Sequence, residues 1–510
     1  MKFTKFFVLI ILSSLIIASN ALATTYYVSK GGSNSNRGAS VSEPWATLNY
    51  AASHISTGDI VVVRSGIYKE NISINVKNVT FENYPGEQPI LDWDFEGPGG
   101  KKNYTAMISV VADGVTVKGF EVRESTGTGI SVYGKDGGTA NNVTIKNCKI
   151  HDTWYPAFRI LDGADNCTVE DCEIYKGSYV MSNCSVPFNA SICRAEGWGD
   201  PATIQINNCA YATFRRCVIR DGYNEGFDID RYSSNTTVEY CQIYGHPAVQ
   251  LYICSSNNQI IRYNIIYGTN TNENGQNGYG PGIYINNEDN WKLSNVENFI
   301  VYGNCIANTA RNFWVASQYV GGEYHRVSKV YAYNNTFIEA RGTSNISQVN
   351  VLFNDKVGDG HIFVNNIIWQ TEGSIGFSPN RDIITSDYNL WSKEPVDKLK
   401  GAHDPPYAVP NILKTTDWKN LYGGEITGSE FSLQKSSPAI DKGIALTDSY
   451  DWLIDTDVSN WVNKEFILKS QKINGTGWEI GADIYCLYPT SPPIHSDLLP
   501  PSNLKIISEE

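Results

Sequence analysis

Two aspartates separated by one isoleucine stand out in the stretch EGFDIDRY: Asp228 and Asp230, followed at once by Arg231. Successive side chains of a strand point to opposite faces, so Phe227 and Ile229 belong to a core and the two acids share the other face. Residues two apart on a strand are separated by roughly 6.6 Å at the backbone. That spacing sits near the lower end of the roughly 6.5–9.5 Å between carboxyls that leaves room for a water in acid–base hydrolysis. The same two carboxylates offer hard oxygen ligands to calcium. A solvated strand face with an Asp230–Arg231 surface contact is the structural alternative.

What positions these acids is a repeat. Segments of one form recur as VTIKNCKI, CTVEDCEI, ATFRRCVI, TTVEYCQI, QIIRYNII, FIVYGNCI, VYAYNNTF and HIFVNNII. The residue at the bend falls at Cys148, Cys172, Cys217, Cys241, Asn264, Asn304, Asn335 and Asn366, giving a base period near 23 with insertions. One such unit cannot bury its own apolar face, whereas stacked units bury a continuous core. No helix-length segment separates the strands, which excludes the usual helix-crossover sheet. The expected fold is all-β, a right-handed parallel β-helix of roughly 23–31-residue coils, with a short N-terminal capping helix around Trp45 to His54. Equivalent residues then lie about 4.8 Å apart in adjacent coils, so cysteines stack and hand over to a stack of asparagines. The ladder lacks paired Cys-x-x-Cys spacing, so no zinc site is read there.

The strands after each turn align as GISVYG, AFRILD, TIQINN, GFDIDR, VQLYIC, GIYINN and NFWVAS. Their outward positions form two rows. One holds Ser131, Arg159, Gln205, Asp228, Gln250, Tyr284 and Trp314, and the other Tyr133, Leu161, Asn207, Asp230, Tyr252, Asn286 and Ala316. Acids and an arginine lie centrally, with amides and aromatics beside them, a composition that suits sugar hydroxyls and ring faces. The candidate catalytic residues are Asp228, Asp230, Arg159 and Arg231. Candidate ligand contacts are Gln205, Asn207, Gln250, Tyr252, Tyr284 and Trp314, and candidate calcium ligands are Asp228 and Asp230. Long insertions at Gly177 to Asp200 and at TNTNENGQNGYGP flank these strands. His151 and His246, in turns, are expected at the surface.

The ends set the context. Lys2 and Lys5, an apolar run from Phe6 to Ala18 and Ala21-Leu22-Ala23 form a secretory leader pattern over residues 1–23, so an exported protein is expected. The formal charge of −13 argues against nucleic acid. Eleven cysteines, an odd number, suggest disulfides plus a free thiol, with Cys184 and Cys193 the expected bridge. The layout reads as cap and first coils over 24–100, core coils over 101–400, closing coils over 401–488 and a Pro-rich tail over 489–510.

The opening YYVSKGGSNSNRG…PWATLNYAA…GDIVVVRSGIYKE and the closing SPAIDKG…GWEIGA resemble the caps of the pectate-lyase-like superfamily of exported right-handed β-helix proteins, over about residues 25–486. The resemblance implies action on polysaccharide, by calcium-assisted β-elimination of a uronate polymer or by hydrolysis. The paired Asp-Asp, Gly-His-Gly and Arg-x-Lys motifs of polygalacturonases are absent, and no lysine matches the base of the lyases. Arginine is a poor base, its pKa exceeding about 12. Calcium-assisted lyase is the leading reading, inverting hydrolysis with Asp228 and Asp230 as the acid–base pair is the first alternative, and a non-catalytic glycan-binding or surface β-helix protein is the second. The expected partner in each is a polysaccharide bound by a monomer, with no nucleic acid and no membrane insertion after leader removal.

Overall fold

The computed structural model describes residues 23–96, 105–179, 202–288, 293–343, 347–378, 383–396, 399–409, 418, 426–474 and 476–483. The leader, the Cys184–Cys193 pair, most of the Gly177 to Asp200 insertion and the Pro-rich tail lie outside them. Among the described residues no helix is long and apolar enough to cross a membrane.

The chain winds through three parallel sheets in turn. The first, of 14 strands, runs from Thr25–Val28 to Ile384–Asp387 and includes one antiparallel strand, Gln318–Val320. The second has 12 strands from Gly66–Tyr68 to Leu390–Trp391, and the third 11 strands from Ile72–Ile74 to Ser374–Phe377. Each strand pairs with its equivalent one coil away, which is the right-handed parallel β-helix that the repeat demanded. In the third sheet Ile130, Phe158, Ile204, Phe227, Leu251, Ile283 and Phe313 follow one another in register. All seven are fully buried, and they form the spine of the core on that side.

The bend from first to second sheet explains the ladder. One residue adopts the left-handed conformation, as Asn147 (φ 53°), Asp171 (φ 58°), Asn334 (φ 51°) and Asn365 (φ 58°) do, and the ladder residue follows it inside. Asparagine and aspartate tolerate that conformation best among residues with a side chain. Inside, Asn264 donates to Asn304, Asn304 to Asn335, Asn335 to Asn366 and Asn366 to Asn389, each at 3.0 Å. Each amide also bonds backbone: Asn304 Nδ2 donates to Ile261 O at 2.8 Å, and Asn264 N donates to Asn304 Oδ1 at 3.1 Å. The stacked thiols bond carbonyls instead, as Cys217 does to Arg215 O at 3.3 Å. The eight cysteines among the described residues are all buried and free.

At the N-terminal end the helix Leu48–His54 closes the first coil. Thr47 caps it, its hydroxyl accepting from Tyr50 N at 3.2 Å, while Leu48 and Ala51 are buried. Residues 426–483 take a different course. They lie along the flank of the later coils, where Tyr450, Trp461 and Phe431 form a second apolar cluster with Tyr263, Tyr302 and Tyr333. Trp461 Nε1 donates to Tyr263 O at 3.2 Å, and Tyr302 OH donates to Tyr450 O at 2.6 Å. The SSPAIDKG and GWEIGADIY segments meet at a Gly443–Trp478 bridge on this flank.

Candidate active site on the third sheet

The strand Phe227–Asp230 alternates as its sequence requires: Phe227 and Ile229 enter the core and the two aspartates face outward. Neither acid is a solvated surface group. Asp228 is only 6% exposed and the Asp230 side chain 17%. Burying a carboxylate is costly unless something compensates it, so this burial weighs against the solvated-face alternative. Burial pushes the Asp230 carboxyl up to about 6, against the pull of Arg231 and with a further push from Glu288. Arg231 sits in the exposed turn with φ 56°; its backbone N–H donates to Asp230 Oδ1 at 2.6 Å and its guanidinium lies 3.7 Å from Oδ2.

Neighbouring strands supply the rest. Arg159 pairs with Gln205 in register, and Gln205 with Asp228, so Arg159 stands two strands from the acid, about 9.6 Å at the backbone. Asn207 lies opposite Asp230 and is buried. Its amide oxygen has no hydrogen-bond partner among the described residues.

The next coil corrects the alignment. The neighbour of Asp228 is Tyr252 and not Gln250, because the strand begins at Leu251 and Leu251 pairs with Phe227. Val249 and Leu251 are both apolar, so alternation alone admits two registers. Gln250 belongs to the preceding turn and ties it together. Its amide donates to His246 O at 2.7 Å, Gly278 O at 3.2 Å and Gly280 O at 3.3 Å, and its oxygen accepts from His246 N at 3.1 Å. Fully buried, Gln250 is a turn brace and not a ligand contact. The row therefore reads Arg159, Gln205, Asp228, Tyr252, Tyr284, Trp314, and Cys254 takes the place beyond Asp230.

The aromatics are also used differently from the expectation. Tyr252 stacks on Tyr284 with ring centres 5.0 Å apart, and Tyr284 on Trp314 at 4.0 Å and 13°. The coil spacing is itself about a ring-stacking distance. These rings spend faces on one another and present edges outward. Trp314 Nε1 donates to Asn354 Oδ1 at 3.2 Å.

Glu288 escaped the sequence reading. It lies in the turn after the strand Ile283–Asn286, outside the repeat, and accepts from Tyr252 OH at 2.6 Å. Its proximity to Asp230 makes it the third acid of the site. The histidines also differ from expectation: His246 is fully buried, accepts from Gly222 N at 3.2 Å and is pushed down to about 3 by burial. His151 is buried between Asp152 at 2.6 Å and Glu121 at 3.4 Å.

For calcium, Asp228, Asp230 and the Asn207 amide oxygen on adjoining strands are the right chemical type. They do not form a closed cage of acids. Among the described residues the acidic oxygens that gather within 4.8 Å of one another belong to Asp92, Asp94 and Glu124. That group is already engaged, Asp92 with Arg123 at 2.8 Å and Asp94 with Lys69.

Sequence comparison matches residues 26–259 to the region described as "Pel9A-like, right handed beta helix region" and residues 193–337 to "Right handed beta helix region". A curated relative, the uncharacterized protein YwoF of Bacillus subtilis (strain 168), is 26% identical over 132 residues, which is 24% of this chain and 27% of that protein. Similar solved structures include pectate lyase Pel9A, at 14% identity and TM-score 0.45, covering 84% of this chain and 94% of the other. Another is an alginate lyase from Paenibacillus sp. str. FPU-7, at 16% identity and TM-score 0.41, covering 56% and 90%. Three stacked parallel sheets, the bend ladder and both matched regions agree on the fold: the chain is a right-handed parallel β-helix whose residues 26–259 are similar to the Pel9A-like right-handed β-helix family.

Proposed function

We propose that this protein is an exported carbohydrate-active enzyme that cleaves a polysaccharide bound along the outer face of the third sheet. The observation that carries the reading is the pair of buried, outward-facing carboxylates Asp228 and Asp230 in mid-row, one of them pushed up to about 6. Acid–base hydrolysis suits this geometry best. Asp230, protonated below pH 6, gives its proton to the glycosidic oxygen as the bond to the anomeric carbon breaks. Asp228 takes a proton from the water that attacks the same carbon. Burial and the charge of Glu288 are what raise the Asp230 carboxyl into a range that suits a proton donor. Arg231 holds the Asp230 carboxylate after transfer.

Calcium-assisted elimination on a uronate polymer is the second reading, favoured by the buried Asn207 oxygen opposite Asp230, which has no donor among the described residues. Asp228, Asp230 and Asn207 would hold the ion, which supplies neutralisation of a uronate carboxylate. Arg231, beside Asp230, and Arg159, two strands from Asp228, are the cations for that role. The deciding experiment is a substrate screen following reducing ends and ultraviolet absorbance together, with calcium and with chelator. Reducing ends without absorbance, indifferent to chelator, are expected. Absorbance abolished by chelator would replace hydrolysis with elimination, and silence on every polymer would leave a binding protein.

A further inference from the structure

Arg311 lies in the turn entering the strand Phe313–Val315, and its carbonyl accepts from Gly282 N at 2.7 Å. Its guanidinium sits 4.2 Å from the centre of the Trp314 ring, at the far end of the aromatic stack. Four other half-buried arginines of this chain have a carboxylate: Arg123 has Asp92 at 2.8 Å, Arg215 has Glu239 at 2.6 Å, Arg216 has Asp171 at 2.8 Å and Arg220 has Glu173 at 2.9 Å. Arg311 has no carboxylate partner among the described residues, and its buried Nε has no acceptor. Burial acts against its charge, and the only opposing influence is Tyr284.

A guanidinium stays charged under all ordinary conditions and carries five N–H donors in a fork that matches planar anions. Holding one half-dehydrated without a counter-charge is costly, and in a chain of net charge −13 acids were available to pair with it. An anion brought by the ligand would complete the arrangement, with the rigid edge of Trp314 beside it. We propose that Arg311 and Trp314 form a distal subsite that reads the anionic group, carboxylate or sulfate, of an acidic sugar in the bound polymer.

The inference rests on the third sheet being the glycan track, and it names the class of glycan. Trp314 stands three strands from Asp228 through Tyr252 and Tyr284, roughly 14 Å away. The contact is therefore remote from the scissile bond, and it governs affinity and KM with little effect on kcat.

The test is binding of polygalacturonate, a sulfated galactan and a neutral xylan by the full chain, by affinity electrophoresis and calorimetry. It compares wild type, Arg311→Gln and Arg311→Lys, with Asp228→Asn/Asp230→Asn as a background that binds without turnover. The inference expects acidic-polymer affinity to fall at least about tenfold in Arg311→Gln and less in Arg311→Lys. Binding of neutral polymer and the melting temperature should stay unchanged, and whichever acidic polymer responds identifies carboxylate or sulfate. Unchanged acidic binding in Arg311→Gln, or wild type that binds the neutral polymer alone, would overturn the subsite and leave the glycan track standing. Loss of melting temperature with equal loss of neutral and acidic binding would make Arg311 a packing residue. Wild type that binds no glycan would overturn the functional reading and the inference with it.

Discussion

At Asp230, burial and the charge of Glu288 act in the same direction, and Arg231 and a hydrogen bond from Cys254 oppose them. A carboxyl raised above its ordinary range is protonated below about pH 6 and ionised above it. If it is the proton donor, kcat/KM should fall about tenfold per unit as pH rises past 6. Glu288→Gln removes one of the upward pushes, so it should move that limb to lower pH; a pH–rate profile of the two proteins checks both statements. The sign for stability is the reverse of a salt-bridged acid. The folded state holds the extra proton, so the contribution is complete below the ordinary carboxylate range and is lost as pH rises towards 6. Asp230→Asn keeps the buried group neutral and should abolish that loss while lowering kcat by about 10²–10⁴. Thermal melts across pH, run beside the kinetics, separate these effects. Asp228 and Asp230 were legible in the sequence because two acids alternate with core residues. Glu288 and Arg311 were not, because both sit in turns whose length and path the repeat does not dictate. Gln250 falls outside the row because Val249 and Leu251 offer two equally apolar registers, and the pairing of Leu251 with Phe227, with Gln250 tied into the preceding turn, decides between them.

The bend ladder is the element the sequence announced most clearly, since a fixed period with one residue type at one place has few structural meanings. Its energetic role is open to direct test. Asn304→Ala removes the acceptor of Asn264 N and Nδ2, and the donor to Ile261 O and Asn335, all in the dry core. A buried polar group left unpaired costs about 1–3 kcal/mol. Asn304→Ala should therefore destabilise by about 2–4 kcal/mol, visible as a lower denaturation midpoint. A change below about 0.5 kcal/mol would mean that the stacked amides are decorative. The aromatic stack taught the opposite lesson. Tyr252, Tyr284 and Trp314 were recognised as a row, yet residue type alone does not say whether rings a coil apart use their faces on a ligand or on one another.

Across the whole molecule, the unexpected component is the segment 426–483, which sequence alone presents as closing coils and which lies along the flank. Its own apolar residues, Tyr450, Trp461 and Phe431, are matched by tyrosines on the outside of the later coils, and such outward aromatics have no period of their own to announce a partner. Trp461 is 2% exposed, and truncating a buried tryptophan costs about 3–5 kcal/mol. Trp461→Ala should expose this segment to limited proteolysis while the strands of the three parallel sheets stay resistant, because they pair coil to coil without it. Simultaneous cleavage throughout would show that flank and helix fold as one unit. The central claim concerns the third sheet, and the most direct test is turnover of a responsive polysaccharide by wild type, Asp228→Asn and Asp230→Asn side by side, scoring reducing ends and ultraviolet absorbance. Wild type should release reducing ends, and each variant should lose at least about a hundredfold of that activity with the fold intact. Variants that turn over the same polymer as fast as wild type would contradict it.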